Sequence, residues 1–343
     1  MTLNIGINGF GRIGRGVMRA LIENQTDDVE VVAINDLATP ETLAHLLKYD
    51  SVHGRLKTPV RVIGDRIEVG RHSIRLSAKR NPEDLPWQDV DVAYECTGLF
   101  TTRSEAARHL ANGSKRVLIS APGTDADRTV VYGVNHQALT PDDIIVSNAS
   151  CTTNCLAPVA MVLDREFGIK TGYMTTVHSF TGDQPSHDSN HRDLYRARAA
   201  TLSMVPTSTG AAKAISLVLP HLKGKLEGSA IRVPTPNVSL VDLCFMPERP
   251  ATREEVNQAA KAAATGALAG ILAYEEDPLV SIDFNHDPHS SCFAAAQTTV
   301  TKDGLVRVAC WYDNEWGFSN RMIDTGRQMG ALLGASELQQ VAC

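Results

Sequence analysis

Residues 3–16 read LNIGINGFGRIGRG, and this stretch decides the fold of the first part of the chain. A short apolar strand, Leu3–Ile7, runs into a glycine-rich turn that opens a helix. Gly9 allows the tight turn, Gly11 lets the backbone approach a pyrophosphate, and Gly14 lets the helix pack closely on the strand. The unpaired N–H groups and the positive dipole at the start of the helix favour a bound phosphate group. The stretch therefore predicts a dinucleotide-binding fold.

A carboxylate follows the second predicted strand, Val29–Ile34, at the place expected for a ribose-binding residue. Asp36 comes 22 residues after Gly14 (36 − 14), close to the roughly 20 that are typical. It would accept hydrogen bonds from the ribose hydroxyls and repel a 2′-phosphate, so it favours NAD. A solvated aspartate after a glycine-rich turn is the alternative for an isolated match. Because strand, helix and carboxylate occur together, we expect cofactor binding, with backbone contacts from Arg12 and Ile13.

The distribution of apolar runs predicts two domains and a C-terminal helix. Across residues 3–147 short apolar runs alternate with helical stretches, which is typical of parallel strands joined by crossover helices. Later extended runs are longer and favour a largely antiparallel sheet. We therefore expect an α/β protein with a Rossmann-type, mostly parallel domain over 1–150 and an α+β catalytic domain over 151–316. The helical segment 317–343 is expected to return to the first domain.

The same periodicities predict individual elements. Strands are expected at Leu3–Ile7, Val29–Ile34, Val92–Cys96, Arg116–Ile119 and Ile144–Ser147, and helices at Thr42–Lys48 and Glu105–Asn112. Extended runs in the second domain cover Tyr173–Phe180, Ser229–Met246 and Leu305–Tyr312. Thr252–Glu255 has the form of a capping box ahead of an alanine-rich helix through Ala264.

The composition disfavours several classes of partner. Lys plus Arg is 33 and Asp plus Glu is 39, and the formal net charge of −6 offers no attraction to nucleic acid or an anionic membrane. Any anion site must therefore be local, and we expect a small-molecule substrate. No window approaches the roughly 18 apolar residues of a membrane span, and no secretion signal is evident. Seven scattered cysteines suit free thiols in a reducing cytoplasm.

One cysteine stands in a segment suited to catalysis. Residues 147–155 read SNASCTTNC and pass from a strand into a probable helix, Ala157–Phe167, so that Cys151 lies at or near a helix N-terminus. There the helix dipole stabilises a thiolate, and backbone N–H groups can hold an oxyanion. The alternative for a cysteine is a small buried apolar residue, which we expect for Cys96, Cys244, Cys292, Cys310 and Cys343.

A nucleophilic thiol needs a base, and His178 is the candidate. It ends a strand-like run 27 residues after Cys151 (178 − 151). Histidine can take the thiol proton and later the proton of a hemithioacetal hydroxyl. No paired histidine or cysteine spacing predicts a metal site, so we expect none.

Six passages together resemble the phosphorylating glyceraldehyde-3-phosphate dehydrogenase family. The resemblance runs from Asn4 to about Asp324, nearly the whole chain, and its passages are Ile7–Arg15, Tyr49–Gly54, Ser150–Pro158, Pro206–Lys213, Arg232–Ser239 and Trp311–Glu315.

The resemblance implies a role for each matched site residue. Cys151 would be the nucleophile and His178 the base that activates it. The substrate's own phosphate would lie at Thr181 and Arg232. The resemblance places the incoming inorganic phosphate at Ser150, Thr152, Thr209 and Gly210, with Arg196 nearby, and the cofactor at Arg12, Ile13, Asp36, Arg80, Ser120 and Asn314.

The resemblance also implies a reaction and an assembly. Asn314 would hold the nicotinamide carboxamide, and the reaction would pass through an acyl-thioester that phosphate releases as an acyl phosphate. The family implies a homotetramer.

One departure from the family pattern concerns cofactor choice. Strongly NAD-selective members carry a Leu-Pro pair where this chain has Ser189 and Asn190 after Asp188. The resemblance implies that this loop reaches the adenosine ribose of a neighbouring subunit. Small polar residues there are similar to those of dual-cofactor members, so NADP use is expected beside NAD despite Asp36.

Three alternatives remain open at this stage. An erythrose-4-phosphate dehydrogenase shares the Cys-His pair but lacks the Thr-Gly phosphate motif, which is intact here as Thr209 and Gly210. A cysteine hydrolase using Cys151 and His178 would have no use for the glycine-rich turn. A non-enzymatic binding protein of this fold would bind cofactor without turnover. The sequence leaves open the physiological direction and any redox role of Cys155 or Cys343.

Overall fold

The computed structural model describes residues 2–341, and side-chain surroundings up to Leu333. Cys343 and the end of the predicted 317–343 segment lie outside the described residues. The chain divides into two compact units. The first comprises the residues up to Ala149 together with the chain from Ser319 onward, and the second is Ser150–Phe318.

The first unit contains eleven short strands and three helices before the chain enters the second. In chain order they are β1 (Leu3–Asn8), α1 (Arg12–Glu23), β2 (Val29–Asn35), α2 (Pro40–Lys48), β3 (Tyr49–Asp50), β4 (Gly54–Arg55), β5 (Val60–Ile63), β6 (Arg66–Val69), β7 (His72–Ser77), β8 (Val92–Glu95), α3 (Arg103–Ala106), β9 (Arg116–Ile119), β10 (Arg128–Thr129) and β11 (Ile145–Ser147). Short 3-10 helices cover Pro82–Asp84, Ala107–Asn112 and His136–Ala138.

The second unit follows with longer strands. Its elements are α4 (Cys151–Phe167), β12 (Ile169–Ser179), β13 (Val205–Ser208), α5 (Ala211–Val218), β14 (Leu226–Val233), β15 (Ser239–Pro247), α6 (Arg253–Thr265), β16 (Leu272–Glu275), β17 (Ser291–Ala294), β18 (Thr299–Val300) and β19 (Val306–Tyr312), with 3-10 helices at Pro220–Leu222, Ser281–Phe284 and Ala295–Gln297. The last helix, α7 (Trp316–Val341), begins here and belongs to the first unit from Ser319 onward.

The first unit is built on a nine-stranded sheet in the order β10-β11-β9-β8-β1-β2-β7-β6-β5. Its pairs from β10 to β7 run parallel, whereas β7-β6 and β6-β5 are antiparallel. The expected mostly parallel sheet is confirmed. Because β2 and β8 lie on opposite sides of β1, their carboxyl ends flank a topological switch point, where open α/β sheets bind ligands.

The second unit carries an eight-stranded sheet in the order β13-β14-β12-β15-β19-β17-β16, with β18 on β19. The pairs β12-β14 and β16-β17 are parallel and the other pairs are antiparallel. The predicted largely antiparallel sheet is therefore confirmed. The capping box ahead of α6 is also confirmed, since the Thr252 hydroxyl accepts from the Glu255 N–H and the Glu255 carboxylate accepts from the Thr252 N–H.

Two predicted elements differ from the structure. The run Ser229–Met246 is two strands, because Pro234 and Pro236 cannot donate ladder hydrogen bonds and Val238 has φ +68°. The predicted helix Glu105–Asn112 is one α-helical turn, α3, followed by a 3-10 helix that buries His109 and Asn112.

The sequence analysis missed the β5-β6-β7 meander at the sheet edge. Its signal was present, since residues 60–77 alternate in polarity around glycines at 64 and 70, both of which have positive φ.

Helix α7 packs against the first sheet. The Tyr94 hydroxyl of β8 donates to the Met322 carbonyl at 3.1 Å, and the Thr325 hydroxyl donates to the Asn148 side chain at 2.8 Å. Arg327 forms a bidentate ion pair with Asp28, with both N–O distances at 2.8 Å. Within the described residues, every helix is too short or too polar to cross a membrane.

We predict that Gly326→Ala loosens this packing. A Cβ atom at Gly326 would stand 2.7 Å from the Tyr94 Cζ and closer still to its hydroxyl. Overpacking of this kind lowers the free energy of unfolding by about 1–3 kcal/mol. Chemical denaturation would measure the loss, and Gln328→Ala, a half-buried position of the same helix, is the control. Equal stability of the two variants would contradict the prediction.

Candidate active site

A cleft of about 320 Å³ opens in the first unit at the carboxyl ends of β1, β2 and β8. Four predicted cofactor residues line it: Gly9, Gly11, Asp36 and Arg80. The residue Cys96, expected to be a small buried apolar residue, is half-buried and also lines the cleft. The switch point of the sheet and the predicted cofactor residues therefore coincide.

At the three fingerprint glycines, a side chain would clash with neighbouring atoms or obstruct the approach of a ligand. Gly9 has φ +90°, and a Cβ there would lie 2.7 Å from the Thr97 nitrogen. A Cβ at Gly14 would lie 2.4 Å from the Gly9 oxygen, so the third glycine permits close packing of α1. Nothing lies within 4 Å of the Cβ position of Gly11, which leaves its backbone open to a ligand. The cradle fits a dinucleotide pyrophosphate.

The Asp36 carboxylate is held at the cleft by backbone donors. Its Oδ2 accepts from the Phe10 N–H at 2.8 Å, and its Oδ1 accepts from the Ala38 N–H at 3.0 Å. Each oxygen keeps a further lone pair. The carboxylate is thus oriented and still able to accept from ribose hydroxyls.

The Arg12 side chain has a structural partner, so only its backbone is available to a cofactor. Its guanidinium forms a bidentate pair with Asp50, at 2.5 and 3.2 Å. Burial raises the pKa of Asp50, but Arg12 and the backbone N–H groups of Val52 and His53 outweigh it and hold that pKa below its usual value. This pair fastens the Tyr49–Gly54 passage to the start of α1.

The remaining predicted cofactor residues are more dispersed. Ile13 is half-buried in the first turn of α1, and Ser120 follows β9, with its N–H donating to the Glu95 carbonyl at 3.0 Å. Ser189 and Asn190 are exposed residues of the second unit.

In the second unit, the start of α4 and the end of β12 bring a thiol and an imidazole together. Ser150 is the N-cap of α4, since its hydroxyl accepts from the Thr153 N–H at 3.1 Å, and Cys151 is the first helical residue. The Cys151 sulfur lies 3.4 Å from Nε2 of His178. A helix N-terminus, a thiol and an imidazole therefore meet here.

The parallel pairing of β12 with β14 places Arg232 beside His178. The two residues are register partners, and the Nη1 of Arg232 lies 2.9 Å from Nδ1 of His178 and 3.0 Å from the Ser179 carbonyl. That Nδ1 is also 2.7 Å from the Ser179 carbonyl. The Arg232 Nε is buried without a hydrogen-bond partner among the described residues, so one donor of the guanidinium remains for an anion.

Burial and the Arg232 charge set the protonation of the pair. Burial raises the pKa of Cys151, and the Arg232 charge opposes that change. Burial and, after it, the Arg232 charge together lower the pKa of His178 to about 3. The imidazole is therefore neutral at physiological pH and able to accept the thiol proton.

The other predicted anion residues occupy the surrounding loops. Arg196 donates to Asp183 at 2.8 Å and to the Thr207 hydroxyl at 3.1 Å. Two residues further along, the Thr209 hydroxyl accepts from the Ala211 N–H at 3.2 Å, and Gly210 is the exposed N-cap of α5. Thr181 is half-buried two residues after the end of β12.

Tyr312 is a site residue to which the sequence analysis assigned no role. Its hydroxyl lies 2.9 Å from the hydroxyls of both Thr152 and Thr176, and its ring meets the His178 ring edge-on at 5.9 Å between centroids. The Thr152 hydroxyl is thus shared with a buried tyrosine, which leaves its backbone for an anion. A tyrosine at the end of an apolar strand carries no local signal of such a role.

Asn314 is oriented by two hydroxyl groups. Its Oδ1 accepts from Ser179 and Ser239, both at 2.9 Å, and the residue is buried. The amide nitrogen is therefore fixed as a donor, which is the role predicted for it.

One group in the described part of the chain places possible metal-ligand atoms together. The ligand atoms of Asp287, His289 and Cys292 all lie within 4.8 Å of one another. The His289 Nδ1 is 2.8 Å from the Asp287 carboxylate, a contact that an ordinary hydrogen bond explains.

Of the other cysteines expected to be buried, Cys292 and Cys310 are buried whereas Cys244 is half-buried.

Family comparisons cover both units. A model described as the NAD-binding domain of glyceraldehyde 3-phosphate dehydrogenase matches residues 3–103, and the corresponding C-terminal domain model matches residues 150–314. A glyceraldehyde-3-phosphate dehydrogenase of Cereibacter sphaeroides is 63% identical over 333 residues, covering 97% of this chain and 100% of the relative. One from Xanthobacter flavus is 61% identical over 334 residues, with 97% and 100% covered. The chain belongs to the glyceraldehyde 3-phosphate dehydrogenase family.

Proposed function

We propose that the protein oxidises D-glyceraldehyde 3-phosphate to 1,3-bisphosphoglycerate with NAD and inorganic phosphate. The observation that carries this proposal is the Cys151 sulfur, which lies at the start of a helix, 3.4 Å from Nε2 of His178, with the half-buried Arg232 beside that imidazole. A hydrolase could use such a pair, but its reaction would not need the NAD-binding first unit.

The chain's own groups supply most of the chemistry. His178 takes the Cys151 proton as the sulfur attacks the aldehyde carbon, and N–H groups at the start of α4 stabilise the oxyanion of the hemithioacetal. When bound, NAD supplies the acceptor for the hydride that leaves this carbon. Nε2 of His178 passes the thiol proton to that oxyanion, which becomes the hemithioacetal hydroxyl. Nε2 takes this proton back as the hydride leaves, and an acyl-thioester on Cys151 results. Phosphate then attacks the thioester carbon and Cys151 leaves as thiolate.

Two groups of donors are proposed to hold the two phosphates. Arg232, with its unpartnered Nε, and Thr181 would hold the substrate phosphate. Inorganic phosphate would meet the helix starts of α4 and α5 and the guanidinium nearby, at Ser150, Thr152, Thr209, Gly210 and Arg196.

The cofactor residues are proposed to act through the contacts described above. Gly9, Gly11 and Gly14 shape the loop, Asp36 accepts from the ribose, and Asn314 donates to the carboxamide. Arg12 and Ile13 would offer backbone N–H groups, while Arg80 and Ser120 complete the set. Residues 1–150 would form the cofactor domain and 151–316 the catalytic domain, with 317–343 returning to the first.

We predict that turnover requires both Cys151 and inorganic phosphate. Cys151→Ser should lower the rate of cofactor reduction by at least about 10³-fold, because a serine hydroxyl is a far weaker nucleophile beside the same base. Absorbance of the reduced nicotinamide, with and without phosphate, measures both effects. Cys244→Ser, a half-buried thiol on β15, is the control and should behave as wild type. Phosphate-independent reduction, or faster turnover with erythrose 4-phosphate, would contradict the proposal.

Cofactor use is proposed to extend to NADP. Ser189 and Asn190 are small, polar and exposed, and would tolerate a 2′-phosphate that a Leu-Pro pair would exclude. We predict measurable NADP turnover that falls several-fold in Ser189→Leu/Asn190→Pro, with the NAD rate of the same variant as the control. Absence of NADP turnover in the wild type, or an equal loss with both cofactors, would remove the proposal.

A homotetramer is proposed from an apolar patch on the segment 194–204. Leu194, Leu202 and Met204 are 82%, 81% and 74% exposed, and Tyr195 is 63% exposed. Clustered exposure of this kind marks an interaction surface.

A cytoplasmic location is proposed from the cysteines, because six of them are free thiols in the part of the chain that the structure describes.

We predict that Leu202→Asp disrupts this assembly, because a buried charge at an apolar interface is costly. Light scattering after gel filtration should show a smaller species than the wild-type tetramer. The control is Ile63→Asp, which changes a residue 52% exposed on the edge meander. A wild-type monomer, or a tetramer unaffected by Leu202→Asp, would contradict the prediction.

A further inference from the structure

A fully buried carboxylate and imidazole lie beneath the cofactor cleft. The Glu95 side chain at the end of β8 and the His109 side chain have no exposed surface, and the Nε2 of His109 is 2.9 Å from Oε2 of Glu95. The His109 ring stacks on Trp87 at 5.6 Å between centroids, within an apolar cluster. A charged group in such surroundings is costly unless further hydrogen bonds satisfy its lone pairs and protons.

The Glu95 carboxylate is saturated with donors. Its Oε2 accepts from the Asn8 amide at 2.7 Å as well as from His109, and its Oε1 accepts from both the N–H and the hydroxyl of Thr97. Because the Asn8 amide nitrogen and the Thr97 N–H can only donate, the carboxylate is their common acceptor, and the Nε2 of His109 donates to the same group. The His109 Nδ1 is buried and has no hydrogen-bond partner among the described residues.

Two of the residues that donate to Glu95 also line the cofactor cleft. Asn8 and Thr97 line it, and the Asn8 oxygen accepts from Asn35 at 2.8 Å. Asn35 in turn binds the Lys79 backbone through both its amide nitrogen and its oxygen, each at 2.8 Å. Lys79 also lines the cleft. One carboxylate thus connects the ends of β1, β2 and β8.

The position of Thr97 also limits the glycine-rich turn. The Cβ direction of Gly9 points at the Thr97 nitrogen, only 2.7 Å from where a Cβ would be. A shift of Thr97 towards Gly9 would therefore press on the first turn of the fingerprint. The hydrogen bonds from Thr97 to Glu95 oppose such a shift.

We propose that Glu95 and His109 are positioning residues that hold the cofactor cleft in its binding geometry. This inference rests on the proposed function only in that the cofactor is NAD. Neither residue lines the cleft, so their effect passes through Asn8, Thr97 and Asn35. Without the His109 donor, the carboxylate would lose one hydrogen bond. It could then move and displace Asn8 or Thr97.

The test compares His109→Gln with His109→Leu. Both remove the ring stacked on Trp87, but the glutamine amide can replace the Nε2 donor and leucine cannot. We expect His109→Leu to raise the Kd for NAD, measured by calorimetry, and the KM for NAD by about tenfold, the order for a hydrogen bond lost from a buried network. His109→Gln should stay near wild type, and kcat at saturating NAD should change little in either. Glu95→Gln should resemble His109→Leu.

Arg116→Met is the matched control. Its guanidinium is buried on the neighbouring strand β9 and donates to the carbonyls of Asp143 and Pro141 at 2.7 and 2.9 Å, away from the cleft-lining residues. It should lower the thermal midpoint without raising the Kd for NAD. Equal Kd values in His109→Leu, His109→Gln and wild type would overturn the proposal, whatever happened to stability. A wild-type protein that bound NAD without turnover would remove the proposed function and leave the Kd comparison decisive.

Discussion

The 3.4 Å contact between the Cys151 sulfur and Nε2 of His178 is the interaction on which the chemistry of the second unit depends. It exists because a helix start and a strand end converge, the first supplying the nucleophile and the second the base. The parallel β12-β14 pair then makes Arg232 the register partner of His178. An antiparallel neighbour in the same place would have a different register, and the guanidinium would have no reason to lie beside the imidazole.

The surroundings of His178 also decide which of its nitrogens acts. Nδ1 lies within hydrogen-bond distance of both the Ser179 carbonyl and the Arg232 Nη1, and it cannot donate to one while accepting from the other. If Nδ1 carries the proton, it donates to Ser179 at 2.7 Å, and Nε2 faces the sulfur as an acceptor. Arg232 then has the same carbonyl as its own acceptor, at 3.0 Å. This tautomer gives the Nδ1 and Nη1 donors an acceptor and is the one that a base toward Cys151 requires.

The parts of the site that the sequence predicts are those that depend on short sequence motifs. The glycine-rich turn and Cys151 at a helix start are recognisable from their immediate neighbours in the chain, and Asp36 from its spacing of 22 residues (36 − 14) after Gly14. The Glu95-His109 network does not, because its contacts join residues 14 and 87 positions apart and involve residue types common in any protein. Tyr312 is similar, since its link to Thr152 spans 160 positions. Only the fold reveals which buried polar residues share an acceptor.

Arg232 joins recognition to catalysis through its charge. Burial lowers the pKa of this guanidinium, and its Nε has no hydrogen-bond partner among the described residues. The same charge helps to lower the pKa of His178. An anion bound to Arg232 offsets that charge and therefore raises the pKa of His178, making the imidazole a stronger base. With the substrate phosphate at Arg232 as proposed, the substrate itself strengthens the proposed base beside Cys151. An aldehyde without a phosphate leaves the Arg232 charge in place and the pKa of His178 lower.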